Sequence, residues 1–167
     1  MTPTSLLLGP LRGALSVLPS RMSSVEAEVM ILAIAGQESG LTCRKQIGGA
    51  ALGWTQFEIG GVIGVAQHPA SRAHFQALVV ALGYAPGDSI GLIHADMEND
   101  DTLAMGISRL LLWTDPHPLP EFGDAGQAWL LYERCWRPGK PRRAAWDGCY
   151  AAAIAAVEAN PRQGVPA

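Results

Sequence analysis

The stretch from Val25 to Ser39, VEAEVMILAIAGQES, constrains this chain more than any other. Wound as a helix, Val25, Val29, Met30, Ile31, Leu32, Ala33, Ile34 and Ala35 leave almost no polar face. A helix that is apolar all round has to be surrounded, so the rest of the 167 residues must pack about it. Ser23-x-x-Glu26 reads as the capping box that opens this helix. Gly40 reads as the left-handed residue that closes it.

Glu38 then stands out, because it sits where a buried helix ends. Desolvation disfavours a carboxylate there, and the negative end of the helix dipole acts in the same direction. A carboxyl so placed holds its proton to higher pH, as a general acid requires. The alternative is that Glu38 caps or salt-bridges a loop, with Arg44 or Lys45 as partner.

A run of small residues follows: Gly48, Gly49, Ala50, Ala51 and Gly53. Such a run lets backbone approach something bulky. Trp54, Thr55, Gln56, Phe57 and Glu58 come next, crowding an aromatic face, a hydroxyl, an amide and a second carboxyl together. A flat apolar platform beside directed hydrogen-bonding groups suits a sugar, although a tight turn entering a buried segment would read the same way.

These residues resemble a known family. Glu38-Ser39 looks like the Glu-Ser motif of soluble lytic transglycosylases and goose-type lysozymes, and Ala50-Ala51-Leu52-Gly53-Trp54-Thr55-Gln56 resembles their GAxGLMQ motif. The eighteen residues from Glu38 to Gln56 are the family's usual separation. Ala128-Trp129-Leu130-Leu131-Tyr132 is a partial echo of a third, aromatic-Tyr-Asn element, with Glu133 where the family has Asn. The wording WTQFE, and WRPGKP from Trp136 to Pro141, looks like a divergent bacteriophage or prophage branch.

The resemblance implies a peptidoglycan glycan strand as substrate and cleavage of the MurNAc–GlcNAc β-1,4 bond. It makes Glu38 the general acid/base and has Ser39 orient backbone or substrate. Gln56 and the backbone near Thr55 would bind an N-acetyl group or sugar, Trp54 would form a wall, and Tyr132 would lie near Glu38. It implies no cofactor. Lytic transglycosylases work with a single Glu and leave a 1,6-anhydro product, whereas goose-type lysozymes hydrolyse with the help of further acids. Glu58 departs from the family pattern: if it points into the groove it is a possible second carboxyl that positions water, and if it points away it is a structural acid. Asp96 and Glu133 are weaker candidates for that role. A chitinase-like endolysin, using Glu38 and Glu58 twenty residues apart, is an alternative. So is a lysozyme-like virion or binding module without turnover.

Hydrophobic residues at 49% and charged ones at 16% describe a globular chain. A net charge of −3 without a basic stripe argues against nucleic acid as the partner. Cys43, Cys135 and Cys149 show no metal-ligand spacing, so no metal site is expected. Reduced buried thiols are the simplest reading, with a Cys135–Cys149 pair left open. The longest run free of Asp, Glu, Lys and Arg is the fifteen residues from Ala73 to Gly87, so no membrane span is expected. The first residues fit a signal peptide poorly. Such an enzyme would wait in the host cytoplasm for a holin to release it to the periplasm and cell wall, or travel in the phage virion.

Leu6, Leu7, Leu11, Leu15 and Leu18 predict an N-terminal packing helix. Ile59 to Ala66 reads as a short strand or extended loop. Pro69 should start a helix through about Leu82, flanked by surface histidines His68 and His74. Further helices are expected over Asp88–Glu98, over Thr102–Trp113 capped by Asp100 or Asp101, from Asp124 to Trp136, and from Pro141 to Ala159. The expectation is a mainly α, single lysozyme-like domain over 1–167, with six or seven helices, little or no β, and a loose tail from about 160.

Overall fold

Burial of the Val25–Ser39 helix organises everything else. In the computed structural model, which describes residues 1–139 and 142–162, the chain is mainly helical, with 63% helix and 2% strand. Helix α1 (Pro3–Leu6) passes through a wide π-type turn, Leu7–Leu11, into α2 (Arg12–Val17). The N-terminal stretch therefore forms several segments where one helix is expected, because Gly9 and Pro10 interrupt the regular ladder. The expected leucines are nonetheless buried, Leu6, Leu7 and Leu11 completely.

The central helix α3 runs Val25–Ser39. Its cap is Ser24, whose hydroxyl accepts from the Ala27 amide, one residue later than the expected box. Ser23 instead accepts a bond from Arg162. Every residue from Ala27 to Ala35 is buried, Glu28 included. α3 packs chiefly against α9 (Arg143–Glu158), and Gly36 sits where a β-carbon would come within 3.3 Å of Cys149, so a bare backbone allows this approach. Buried Glu28 accepts from Arg12 at 2.8 Å and Arg162 at 3.0 Å. Arg162 is thus held within the stretch expected to be loose from about 160; Gln163–Ala167 lie outside the described residues.

The stretch Ile59–Gln67, expected as strand or loop, is helix α4. Glycine lowers its propensity, but Val62 and Val65, three apart, go fully into the core and decide the matter. α5 spans Arg72–Ala81, starting beyond Pro69, because residues 68–71 form a turn. In that turn the Ser71 hydroxyl donates to the Val65 carbonyl, and the His68 ring accepts from Ala70 N–H. α6 is Ile90–Asp96, α7 is Asp101–Thr114 capped by Asp100, and α8 is Ala125–Trp136 capped by Asp124. α9 begins at Arg143; the expected start, Pro141, lies outside the described residues. One cluster of buried side chains extends from Leu6 to Val157. Among the described residues, β structure is limited to isolated bridges of Leu52 with Lys45 and Phe57, and no helix is long and apolar enough to cross a membrane.

Candidate active site

α3 ends in a tightly held turn. Gly40 takes the left-handed conformation at φ 58° and its N–H donates to the Gly36 carbonyl. The Ser39 hydroxyl donates back to the Ala35 carbonyl at 2.8 Å and accepts from the Leu41 amide. Gln37 and Arg142 bind reciprocally: the Gln37 amide donates to the Arg142 carbonyl, and the Arg142 guanidinium donates to the Gln37 carbonyl at 2.7 Å. A cation there also complements the negative end of the α3 dipole.

Between those two anchored residues, half-buried Glu38 faces α8. The Tyr132 hydroxyl donates to Glu38 Oε1 at 2.6 Å. Burial raises the Glu38 carboxyl above the ordinary glutamate value, opposed by the Tyr132 hydrogen bond and the Arg142 guanidinium. Arg44 and Lys45, the alternative partners for Glu38, are occupied elsewhere, Arg44 with Asp101 and Lys45 with Glu98. Tyr132 is itself fixed by aromatic neighbours, stacking on Trp146 at 5.1 Å and Trp136 at 6.5 Å between centroids.

The loop from Leu41 to Glu58 closes the other side. Leu52 and Phe57 exchange both backbone hydrogen bonds. Gly53 is at φ 72°, where a β-carbon would meet Met97 O and the Ala104 methyl at 3.1 Å, so the small-residue run fits loop against α7. The Trp136 indole N–H donates to the Thr55 carbonyl at 2.9 Å and binds this loop to α8. Between loop and helices lies a groove of about 450 Å³, lined among others by Glu38, Gln56, Glu58, Tyr132, Trp136, Arg137 and Arg142.

Glu38, Gln56, Glu58 and Tyr132 are therefore brought to one groove. Gln56, at φ 49°, has its amide nitrogen tied to the Gly53 carbonyl at 2.8 Å, which turns its oxygen into a fixed acceptor. Glu58 is exposed and takes the N-cap position of α4. Trp54, expected as a sugar wall, is a core residue 4% exposed, with Arg44 over its ring at 4.4 Å. Thr55 is fully buried and its hydroxyl bonds to that of Ser108. Ser39 serves the helix turn. These three do not line the groove; the loop folds the Trp54 and Thr55 side chains inward and presents Gln56 instead. Of the weaker carboxyls, Asp96 accepts from the Tyr84 hydroxyl, and Glu133 faces a neighbouring hollow.

Groove residues not foreseen include Gln46, Trp136, Arg137 and Arg142. The available clue was Trp136-Arg137-Pro138-Gly139, an aromatic and a cation set where a proline stops a helix. Cys43, Cys135 and Cys149 are free thiols, and burial pushes Cys135 up to about 11. Among the described residues, no group of three His, Cys, Asp or Glu is placed to hold a metal.

Chemically, the arrangement offers one carboxyl whose pKa burial raises, a fixed amide acceptor, an aromatic wall and two guanidinium groups. Comparison with protein-family models, curated proteins and solved structures finds no match for the chain.

Proposed function

We propose that this protein cleaves the MurNAc–GlcNAc β-1,4 bond of peptidoglycan, acting as a lytic transglycosylase with Glu38 as its acid and base. The observation that carries this reading is the 2.6 Å bond from Tyr132 to a half-buried Glu38 at the wall of an open groove. In the proposed reaction, Glu38 gives its proton to the bridging oxygen as the C1–O bond breaks. The resulting carboxylate then takes the proton of the same sugar's C6 hydroxyl as that oxygen closes on C1, and a 1,6-anhydro end forms without water. Gln56 offers its oxygen to an N-acetyl N–H, and Trp136 offers its face to the apolar side of a ring. In this reading a holin, or packaging in a virion, would bring the enzyme to the wall.

One observation favours a second reading. Glu58 lines the same groove, and a carboxylate opposite the acid would let water replace the C6 hydroxyl, as in a goose-type lysozyme or chitinase-like endolysin. Mass spectrometry of digested peptidoglycan separates the two: anhydro ends support the transglycosylase, and reducing ends support hydrolysis with Glu58. Turnover of chitin oligomers but not peptidoglycan would favour the chitinase-like enzyme. Glu38→Gln should lower turnover at least about a hundredfold in a folded protein. Full activity of that variant overturns the assignment, and a wild-type protein that binds glycan without cutting it is a binding module.

A further inference from the structure

The groove does not end at Trp136. A second hollow of about 840 Å³ lies beyond it, and the two share Gly61, Leu111, Cys135, Trp136 and Arg137. Three guanidinium groups stand around this shared ridge, and their commitments differ. Arg134 is bound to Asp115 at 3.0 Å, and Arg142 donates to the Gln37 carbonyl at 2.7 Å. The side chain of Arg137 is exposed and has no hydrogen bond or ion pair among the described residues. Its backbone is left-handed, φ 48° and ψ 51°, at the end of α8, a place where glycine is the least strained residue. An arginine is thus kept at a conformational cost, beside an aromatic ring, at the junction of two hollows.

We propose that Arg137 is a specificity residue that pairs with a carboxylate carried by the glycan, so that the groove prefers an acidic sugar chain to a neutral one. This rests on the reading of the groove as a glycan site. A guanidinium fork matches a carboxylate in two parallel hydrogen bonds, and the Trp136 face beside it suits the sugar that bears the acid. The acid has two sources in peptidoglycan: the lactyl carboxylate of a peptide-free strand, or the carboxylates of an attached peptide.

The test is binding to Glu38→Gln protein, which leaves the ligands uncut, with and without Arg137→Ala. The probes are peptide-free glycan, peptide-bearing glycan and a neutral chitin oligomer, followed by calorimetry. Arg137→Ala should weaken binding roughly tenfold for a carboxylate-bearing strand and leave the chitin oligomer unchanged; whichever strand loses affinity identifies the source. Arg137→Gly should bind as weakly while melting at the same or a higher temperature, which separates lost recognition from lost folding, and Arg137→Lys should restore part of the affinity. Equal losses on all three probes, no loss on any, or no binding by the Glu38→Gln protein overturns the proposal. Should Glu38→Gln still cut glycan, the acid assignment fails while these binding comparisons, made at short times, still stand or fall by themselves.

Discussion

Tyr132 and Glu38 lie 94 positions apart in the chain and are joined by a 2.6 Å hydrogen bond. The bond has two consequences for the carboxyl. It fixes one oxygen, and it favours the charged form against the burial that disfavours it. The balance still lies above the ordinary value.

That balance makes Glu38 a stability determinant whose sign can be worked out. A folded pKa above the unfolded value of 4.5 means the folded state binds more protons in that window. The contribution is fully present below the unfolded value and is lost as pH rises through the folded one. Glu38→Gln, which never ionises, should therefore gain stability relative to wild type on going from about pH 4 to about pH 8. Thermal melts of both proteins at the two pH values check this; a variant that loses stability relative to wild type over that range, or only keeps pace with it, counts against a raised Glu38.

Tyr132→Phe removes the hydroxyl and keeps the ring in its stack. The lost bond had been lowering the Glu38 pKa, so its removal moves that pKa further up. If protonated Glu38 is the acid, the alkaline limb of the activity profile should shift to higher pH. A pH–rate profile for the variant reads this directly, and a limb that stays or moves down contradicts the role given to Tyr132.

The two tryptophans near the loop should behave in opposite ways. Trp54 is buried, so Trp54→Ala should cost about 3–5 kcal/mol in stability. Trp136 lines the groove, so Trp136→Ala should raise KM about five- to tenfold. Denaturant unfolding beside steady-state kinetics distinguishes them. A rise in KM for a folded Trp54→Ala protein, with none for Trp136→Ala, would reverse the assignment of the sugar wall.

The contrast between these tryptophans shows where the amino-acid sequence is informative. Periodicity is enough for α3 and for the buried leucines before it, and residue type is enough for a cap at Asp100 or Asp101 and one at Asp124, because those depend on neighbours within a turn or two. Glu38 stood out because its environment, a buried helix end, is also local. The pairing with Tyr132 was reached through resemblance to a family, since nothing in local chemistry joins residues so distant. Trp54 is not legible as a core residue from its neighbours in the chain, because burial of a loop side chain depends on α7 and on Arg44 passing over its ring. α4 is hidden by its glycine content, which reports the isolated helix, whereas Val62 and Val65 are settled by the core. Arg137 gives no local signal, because a left-handed arginine breaks the usual glycine rule for helix ends.

α8 makes two attachments within two turns: Tyr132 reaches the acid, and Trp136 reaches the Thr55 carbonyl of the loop. Both walls of the groove are thus moored to one short rod. Unfolding of this rod would release both attachments in the same event, so heat should silence the site in a single step instead of by gradual decline.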